Sequence, residues 1–409
     1  MGSIGSIVLA ARGVRALADG FVSLALPLYL LALGYEPFQV GLISTATLLG
    51  SAALSLTVGR YATRIGYRRA LLAAALLMIV TGLAFAGVRG FWPLLVVAFV
   101  GTLNPSSGDV SVFLPLEHAV LSDAVGDTRR TRTFAHYSLV GAIGGALGAL
   151  LAGAPQWLAG MLDAPLRSAL QAMFVLYAAL GLAAFTLYRR LPVRGDGASD
   201  ASREAPLRQS RRIVLMLAAL FSVDAFAGGL IVQSMLGLWL VQRFALAPAQ
   251  LGVLFFGTSL LAGASYLAAA PLAQRFGLVN TMVFTHIPSS AALIAIPFAS
   301  NVNVAIALLL VRSALSQMDV PTRSSYVMAV VTPAERPAAA SATAVPRSLA
   351  AAGSPLLTGY LLGLSPFGWP LVLAGAIKIA YDLTLLVLFR NVRPPEELSR
   401  SARSGSTPV

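Results

Sequence analysis

Asp19, Asp224 and Arg312 each stand near the middle of a long run of apolar residues. A charge at such a place costs on the order of 2.5–3.5 kcal/mol on insertion scales, so it asks for a function. A carboxylate there changes charge when it takes up a proton, and that change can bias which of two conformations is favoured. Arg312 can tune such a carboxylate or bind an anion. The plainer alternative for each is an ion pair between helices or a long side chain reaching to the interface.

Other polar groups cluster around these three. Arg12, Arg15 and Asp19 follow at i, i+3 and i+7 and share one helix face, which makes Arg15 the expected partner of Asp19. Asp224 has no charged neighbour in sequence. Asn104-Pro105-Ser106-Ser107-Gly108-Asp109 joins a helix breaker to a carboxylate, and backbone freed in this way at membrane depth must face protein or a watery cavity. The candidates for a substrate path are therefore Arg15, Asn104, Asp109, Gln233, Gln317 and Asp319. Glu117 and His118 fall nearer the interface, where a gate or plain solvation is expected. Arg312, Asp319 and Arg323 lie at i, i+7 and i+11 on one stripe, with Asp319–Arg323 expected as a pair holding one end of its helix. Lys378 and Asp382, at i and i+4, are expected to pair with each other.

No enzyme chemistry is legible. The sequence has no phosphate-cradling glycine loop, no nucleophile–base arrangement and no cysteine. Asp19, Asp109, Glu117, His118, His136 and His286 are of metal-binding types, but no two histidines share a ligand spacing, so neither a metal site nor a cofactor is expected.

The elements that hold these residues are apolar helices. The chain of 409 residues is 57% hydrophobic and 11% charged, with a mean hydropathy of +0.80. Soluble domains carry roughly a quarter charged residues, so a soluble chain is excluded. With about 20 apolar residues per span, the chain accommodates twelve. They fall at about 7–33, 39–62, 70–88, 92–121, 133–153, 168–190, 212–241, 250–274, 281–299, 303–331, 337–363 and 368–390. The first apolar run is too long for a signal-peptide core and reads as a span.

The net charge of +13 invites a nucleic-acid partner, but its placement argues for a bilayer instead. Twenty of the 29 basic residues fall on segments of one side, and only Arg89, Arg167 and Arg243 fall on the other; the remaining six lie within spans. That asymmetry predicts a multi-pass protein of the cytoplasmic (plasma) membrane with both termini in the cytoplasm.

Residues 191–211 form a polar linker, which divides the chain into an N-terminal domain (1–190), a C-terminal domain (212–392) and a cytoplasmic tail (393–409). Sliding one half along the other by 211 residues aligns Gln39 with Gln250, Gly41 with Gly252, Thr47 with Thr258, Arg64 with Arg275 and Gly66 with Gly277. An offset of 210 aligns Asp109-Val110 with Asp319-Val320. The halves are copies in parallel orientation.

Between the second and third spans lies Gly59-Arg60-Tyr61-Ala62-Thr63-Arg64-Ile65-Gly66-Tyr67-Arg68-Arg69. It resembles the signature loop of the major facilitator superfamily: Gly59, Arg64, Gly66, Arg68 and Arg69 match in register, and Thr63 stands where the family has an aspartate. Arg275 and Gly277 are a worn second copy. Arg312 and Gln317 look like the family's arginine-plus-glutamine helix signature, which normally lies in the fourth span, where Thr102 stands here. The glycines Gly141, Gly144, Gly145 and Gly148 partly match its antiporter signature, with Gly145 in place of its proline.

The resemblance implies an all-α fold of twelve spans in two six-helix bundles, each a three-plus-three inverted repeat. It also implies alternating access, with the Gly59–Arg69 stretch as a switch loop. The activity expected is proton-coupled export of a small organic solute by a monomer, with Asp19, Asp224 and Arg312 as coupling residues. Import of an organic acid or nutrient, lipid movement, or a non-transporting receptor on the same scaffold are the alternatives.

Overall fold

A computed structural model of the chain describes residues 3–106, 111–124, 127–192, 209–332 and 335–389. Among them every regular element is helical. The first half contains α1 (Ser3–Ala32), α2 (Pro37–Ile65), α3 (Tyr67–Gly87), α4 (Phe91–Val100), α5 (Phe113–Ala124), α6 (Asp127–Leu151), α7 (Ala154–Leu162) and α8 (Leu166–Arg189). The second contains α9 (Arg211–Gly229), α10 (Gln233–Phe244), α11 (Pro248–Phe276), α12 (Leu278–Ala295), α13 (Val302–Leu315), α14 (Asp319–Val330), α15 (Arg336–Leu364) and α16 (Trp369–Phe389).

Nine helical stretches among the described residues are long and apolar enough to cross a membrane. Two shorter apolar helices, α4 and α13, run into breaks and continue as α5 and α14. With α15 these make the twelve spans expected.

The internal repeat is visible atom by atom. Helices α2 and α11 are both 29 residues long and begin and end 211 positions apart. Each starts at a proline, whose missing N–H is no loss in a first turn. Each is capped by the same device: Gln39 Oε1 accepts the backbone N–H of Glu36 (3.0 Å), and Gln250 Oε1 that of Ala247 (2.9 Å). Each ends at a glycine with positive φ, Gly66 (90°) and Gly277 (86°), a conformation that glycine adopts without strain.

Packing gathers the chain into two compact units that cut across the repeat. One holds residues 1–199 with 229–260 and 352–370; the other holds 200–228, 261–351 and 371–409.

In the first unit α1 lies closely against α6. A Cβ on Gly144 would come within 2.9 Å of the Ala16 side chain and the Gly13 carbonyl, and Gly20 faces the backbone of Gly145 and Gly148. Small residues thus set this crossing, as the glycine pattern predicts. The unit also joins pieces of both sequence halves. The backbones of Gly41 and Gly359 meet so closely that a Cβ on either would lie 3.0 Å from the other's Cα. Thr45 Oγ1 accepts the Leu356 N–H (2.9 Å), and Gln156 Oε1 accepts that of Ala249 (3.2 Å).

Two helix breaks lie in the same unit, one after α4 and one near 230–232, and side chains and backbone satisfy several of the groups they free. The Pro105 carbonyl accepts the Ser234 N–H (3.1 Å), the Leu230 carbonyl accepts the Thr358 hydroxyl (2.7 Å), and Thr102 bonds Tyr177.

The second unit has its own apolar core. Val214, Leu217 and Phe221 of α9 pack with Met282 and Val283 of α12, Tyr326 and Val327 of α14, and Tyr381, Leu385 and Phe389 of α16.

Candidate functional site

The first unit buries a cluster around Glu117. This carboxylate, on the second turn of α5, is fully enclosed. Arg15 of α1 makes a short charge-assisted hydrogen bond to Glu117 Oε2. The hydroxyls of Tyr137 (α6) and Tyr188 (α8) donate to its two oxygens, both at 2.6 Å. The Arg15 Nε donates to Tyr188 (3.1 Å), and the guanidinium lies 4.1 Å over the ring of Phe113.

The structure therefore corrects two expectations. Arg15 bonds Glu117 rather than Asp19, and Glu117 is enclosed by protein rather than solvated. Its neighbours explain the second: Tyr137 and Tyr188, themselves buried, close over the carboxylate. Asp19 is buried and within electrostatic range of Arg15 and Tyr177.

The second unit buries a longer chain of charges around Asp224 of α9. Its Oδ2 accepts from Arg323 of α14 (2.9 Å), and its Oδ1 from Lys378 of α16 (2.6 Å). Arg323 also reaches Asp319, 3.4 Å away. His286 of α12 stands between two carboxylates, with Nδ1 3.0 Å from Asp382 Oδ2 and Nε2 4.0 Å from Asp224 Oδ1. A unit charge at 4 Å is worth roughly 4 kcal/mol at an effective dielectric of 20, so the protonation of this ring is felt at Asp224.

The expected Asp319–Arg323 pair is present, but Lys378 and Asp382 do not bond each other: each has turned to a partner on another helix. Asp224, isolated in sequence, is the most heavily paired carboxylate of this unit. Lys378 and His286, read from the sequence as half of an i, i+4 pair and as a metal-binding type, instead join this cluster. A lysine so deep in a span was itself the signal.

The remaining candidates are more scattered. Arg312, half-buried on α13, pairs with no carboxylate among the described residues; its carbonyl accepts the Ser289 hydroxyl (3.3 Å). Of the roles expected for it, an ion pair is therefore not seen among these residues. Gln317 accepts the Tyr266 hydroxyl (3.0 Å). Asn104 is buried at the break after α4, where its Oδ1 accepts from Ser106 N–H and hydroxyl. Gln233, at the first turn of α10, has a buried Nε2 with no hydrogen-bond partner among the described residues. Asp109 lies outside the described residues, as do the side-chain surroundings of Gly59 and Thr63.

In the switch loop, Gly66 makes the turn and Arg68 donates to the last carbonyl of α8, Arg189 O (2.9 Å), while Arg64 and Arg69 are exposed. In the second copy Arg275 lies 5.3 Å from the ring centroid of Phe276. No group of three metal-ligating side chains occurs among the described residues.

Each cluster joins four different helices, and altering one buried charge changes how those helices attract.

Comparison with known proteins gives the family. The family model of the Major Facilitator Superfamily matches residues 8–240 and 218–409. An uncharacterised membrane protein of Saccharomyces cerevisiae, YJR124C, is 26% identical over 93% of this chain and 92% of its own length. A shorter stretch, 24% of this chain and 22% of the relative, is 35% identical to a protein of Pectobacterium atrosepticum named as multidrug resistance protein MdtD. Among solved structures, a mutant of the nucleoside transporter NupG superposes with a TM-score of 0.74, covering 94% of this chain and all of the other at 12% identity.

Proposed function

Because this chain belongs to the major facilitator superfamily, we propose that it is a proton-driven secondary transporter that exports a small organic solute by alternating access. The observation that carries this reading is Asp224, a carboxylate at mid-helix gripped by two cations from two other helices, with a titratable ring beside it. A proton added to such a network alters the attraction among α9, α12, α14 and α16, which is what coupling an ion to a conformational change requires.

Asp19 serves as the coupling carboxylate of the first half. Asn104, Asp109, Gln233, Gln317, Asp319 and Arg312 border the solute path, Arg312 offering an anion-binding charge. Arg15, with its donors on Glu117 and Tyr188, acts through the helices it ties. The two sequence halves, 1–190 and 212–392, are the moving parts, and the Gly59–Arg69 loop latches one side. The protein works as a monomer in the cytoplasmic membrane with both termini inside. Export is favoured over import by the local similarity to the protein named as a multidrug resistance protein.

The test begins with a thermal-shift screen of purified protein against nucleosides, organic anions, cationic dyes and metal ions. A ligand at 100 times its Kd stabilises by about 2.7 kcal/mol. Flux of a hit is then followed in proteoliposomes with an imposed pH gradient. Proton-driven flux should fall at least tenfold in Asp224→Asn. Unchanged flux in both Asp224→Asn and Asp19→Asn would overturn the coupling assignment, and solute and proton moving in the same direction would overturn export.

A further inference from the structure

Asp224 is poorly placed to hold an exchangeable proton itself. Both its oxygens already accept from basic side chains, Oδ1 from Lys378 and Oδ2 from Arg323. The ring beside it is placed differently. His286 Nδ1 lies 3.1 and 3.0 Å from the two oxygens of Asp382, so it is Nδ1 that carries the hydrogen in the neutral ring. Nε2 is left with its lone pair on the side of Asp224, 4.0 Å from Oδ1. That is the same oxygen that Lys378 holds.

We infer that the exchangeable proton is carried by the His286–Asp382 pair, at His286 Nε2, and that a protonated ring competes with Lys378 for Asp224 Oδ1. The inference rests on the proposed proton coupling and names its proton site and its switch. The step balances simply: one proton enters at Nε2 from one side of the membrane and leaves from the same atom to the other, with no bond formed or broken elsewhere. With the ring neutral, Lys378 holds Oδ1. With the ring cationic, a third positive charge arrives at a carboxylate that already has two, and the weaker tie, a lysine on a flexible stem rather than an arginine also anchored on Asp319, is the one displaced.

The charges facing the ring are few, and they favour this exchange. From α16 come Asp382, Lys378 and the edge of Tyr381, whose ring centroid is 6.4 Å away. From α9 comes Asp224, and behind it from α14 come Arg323 and Asp319. Arg347 of α15 lies in the field of the same groups. Arg312 of α13 pairs with none of these carboxylates among the described residues. Three carboxylates face two cations in direct contact, so the cluster accommodates one further positive charge, and His286 is the residue that can supply it reversibly. Lys378 is then a positioning residue whose release reports the proton.

The experiment reads the ring directly and needs no substrate. The full chain, labelled in its three histidines and held in lipid nanodiscs, is followed by NMR from about pH 5 to 9, with His118→Gln and His136→Gln used for assignment. The expected result is a His286 ring with hydrogen on Nδ1 at high pH that gains a second proton within this range, and a transition displaced by about one pH unit or more in Asp382→Asn. A wild-type ring that keeps one protonation state throughout overturns the inference without any variant. So does a transition left in place by Asp382→Asn. A ring that titrates as described while proteoliposomes show no proton-driven flux would overturn the transport reading and leave this proton site standing.

Discussion

In the Glu117 cluster one carboxylate meets one guanidinium, and two tyrosine hydroxyls donate to its two oxygens. In the Asp224 cluster one carboxylate meets two cations and stands 4.0 Å from a histidine ring that a second carboxylate orients. Both are buried and both tie four helices, yet they behave as different kinds of object. The first is balanced and closed: one cation meets one carboxylate, and the other two donors are tyrosine hydroxyls. The second is an open chain in which Lys378 and the His286 ring lie beside the same oxygen. A carboxylate whose partners are one guanidinium and two hydroxyls suits a strut, whereas one with a titratable ring beside it suits a switch, and the difference lies in the kind of partner each carboxylate has rather than in how deeply it is buried.

The largest effect that could break this comparison is the loss of Glu117. Glu117→Ala leaves the Arg15 guanidinium enclosed without its carboxylate, and breaking a buried pair from one side costs about 3–5 kcal/mol. Denaturation of the purified protein in detergent measures it. A loss below about 1 kcal/mol would mean that water reaches Arg15 and that the cluster is no strut.

Asp224→Asn should cost less, about 1–3 kcal/mol. Arg323 keeps Asp319, and Lys378 has Asp382 one turn away on its own helix. Flux, however, should suffer more than stability does. An Asp224→Asn protein that unfolds as readily as Glu117→Ala would erase the distinction between strut and switch.

The backbone of this comparison was legible in the sequence; the pairings were not. An offset of 211 residues predicted that α2 and α11 would be copies, and their ends, their glutamine caps and their closing glycines, Gly66 and Gly277, repeat at that spacing. The break at Asn104-Pro105 was equally readable, because proline acts locally. Partners across helices depend on which faces pack together, and an i, i+4 spacing only offers a pairing. Lys378 and Asp382 had one available and took others, because Asp224 and His286 on neighbouring helices gave each a better-placed partner. Arg15 likewise reached past Asp19 to Glu117. Tyr137 and Tyr188 carry no mark in sequence that separates a hydroxyl bonded to a buried carboxylate from one that reaches water.

The smallest expected effect is the sharpest test of what the Glu117 cluster is for. If it is a strut, an apolar strut of the same shape should replace it, since buried ion pairs exchanged for well-packed apolar residues are often neutral or better. The exchange has to include the tyrosines. Arg15→Met with Glu117→Leu alone leaves the hydroxyls of Tyr137 and Tyr188 without acceptors, at about 1–3 kcal/mol each. Adding Tyr137→Phe and Tyr188→Phe removes those groups as well, and the quadruple variant should come within about 2 kcal/mol of the native protein, where Glu117→Ala alone does not. Its proton-driven flux should be retained within a few-fold. A variant that folds at native stability but carries no solute would show that these charges take part in transport, and the two clusters would then differ in degree and not in kind.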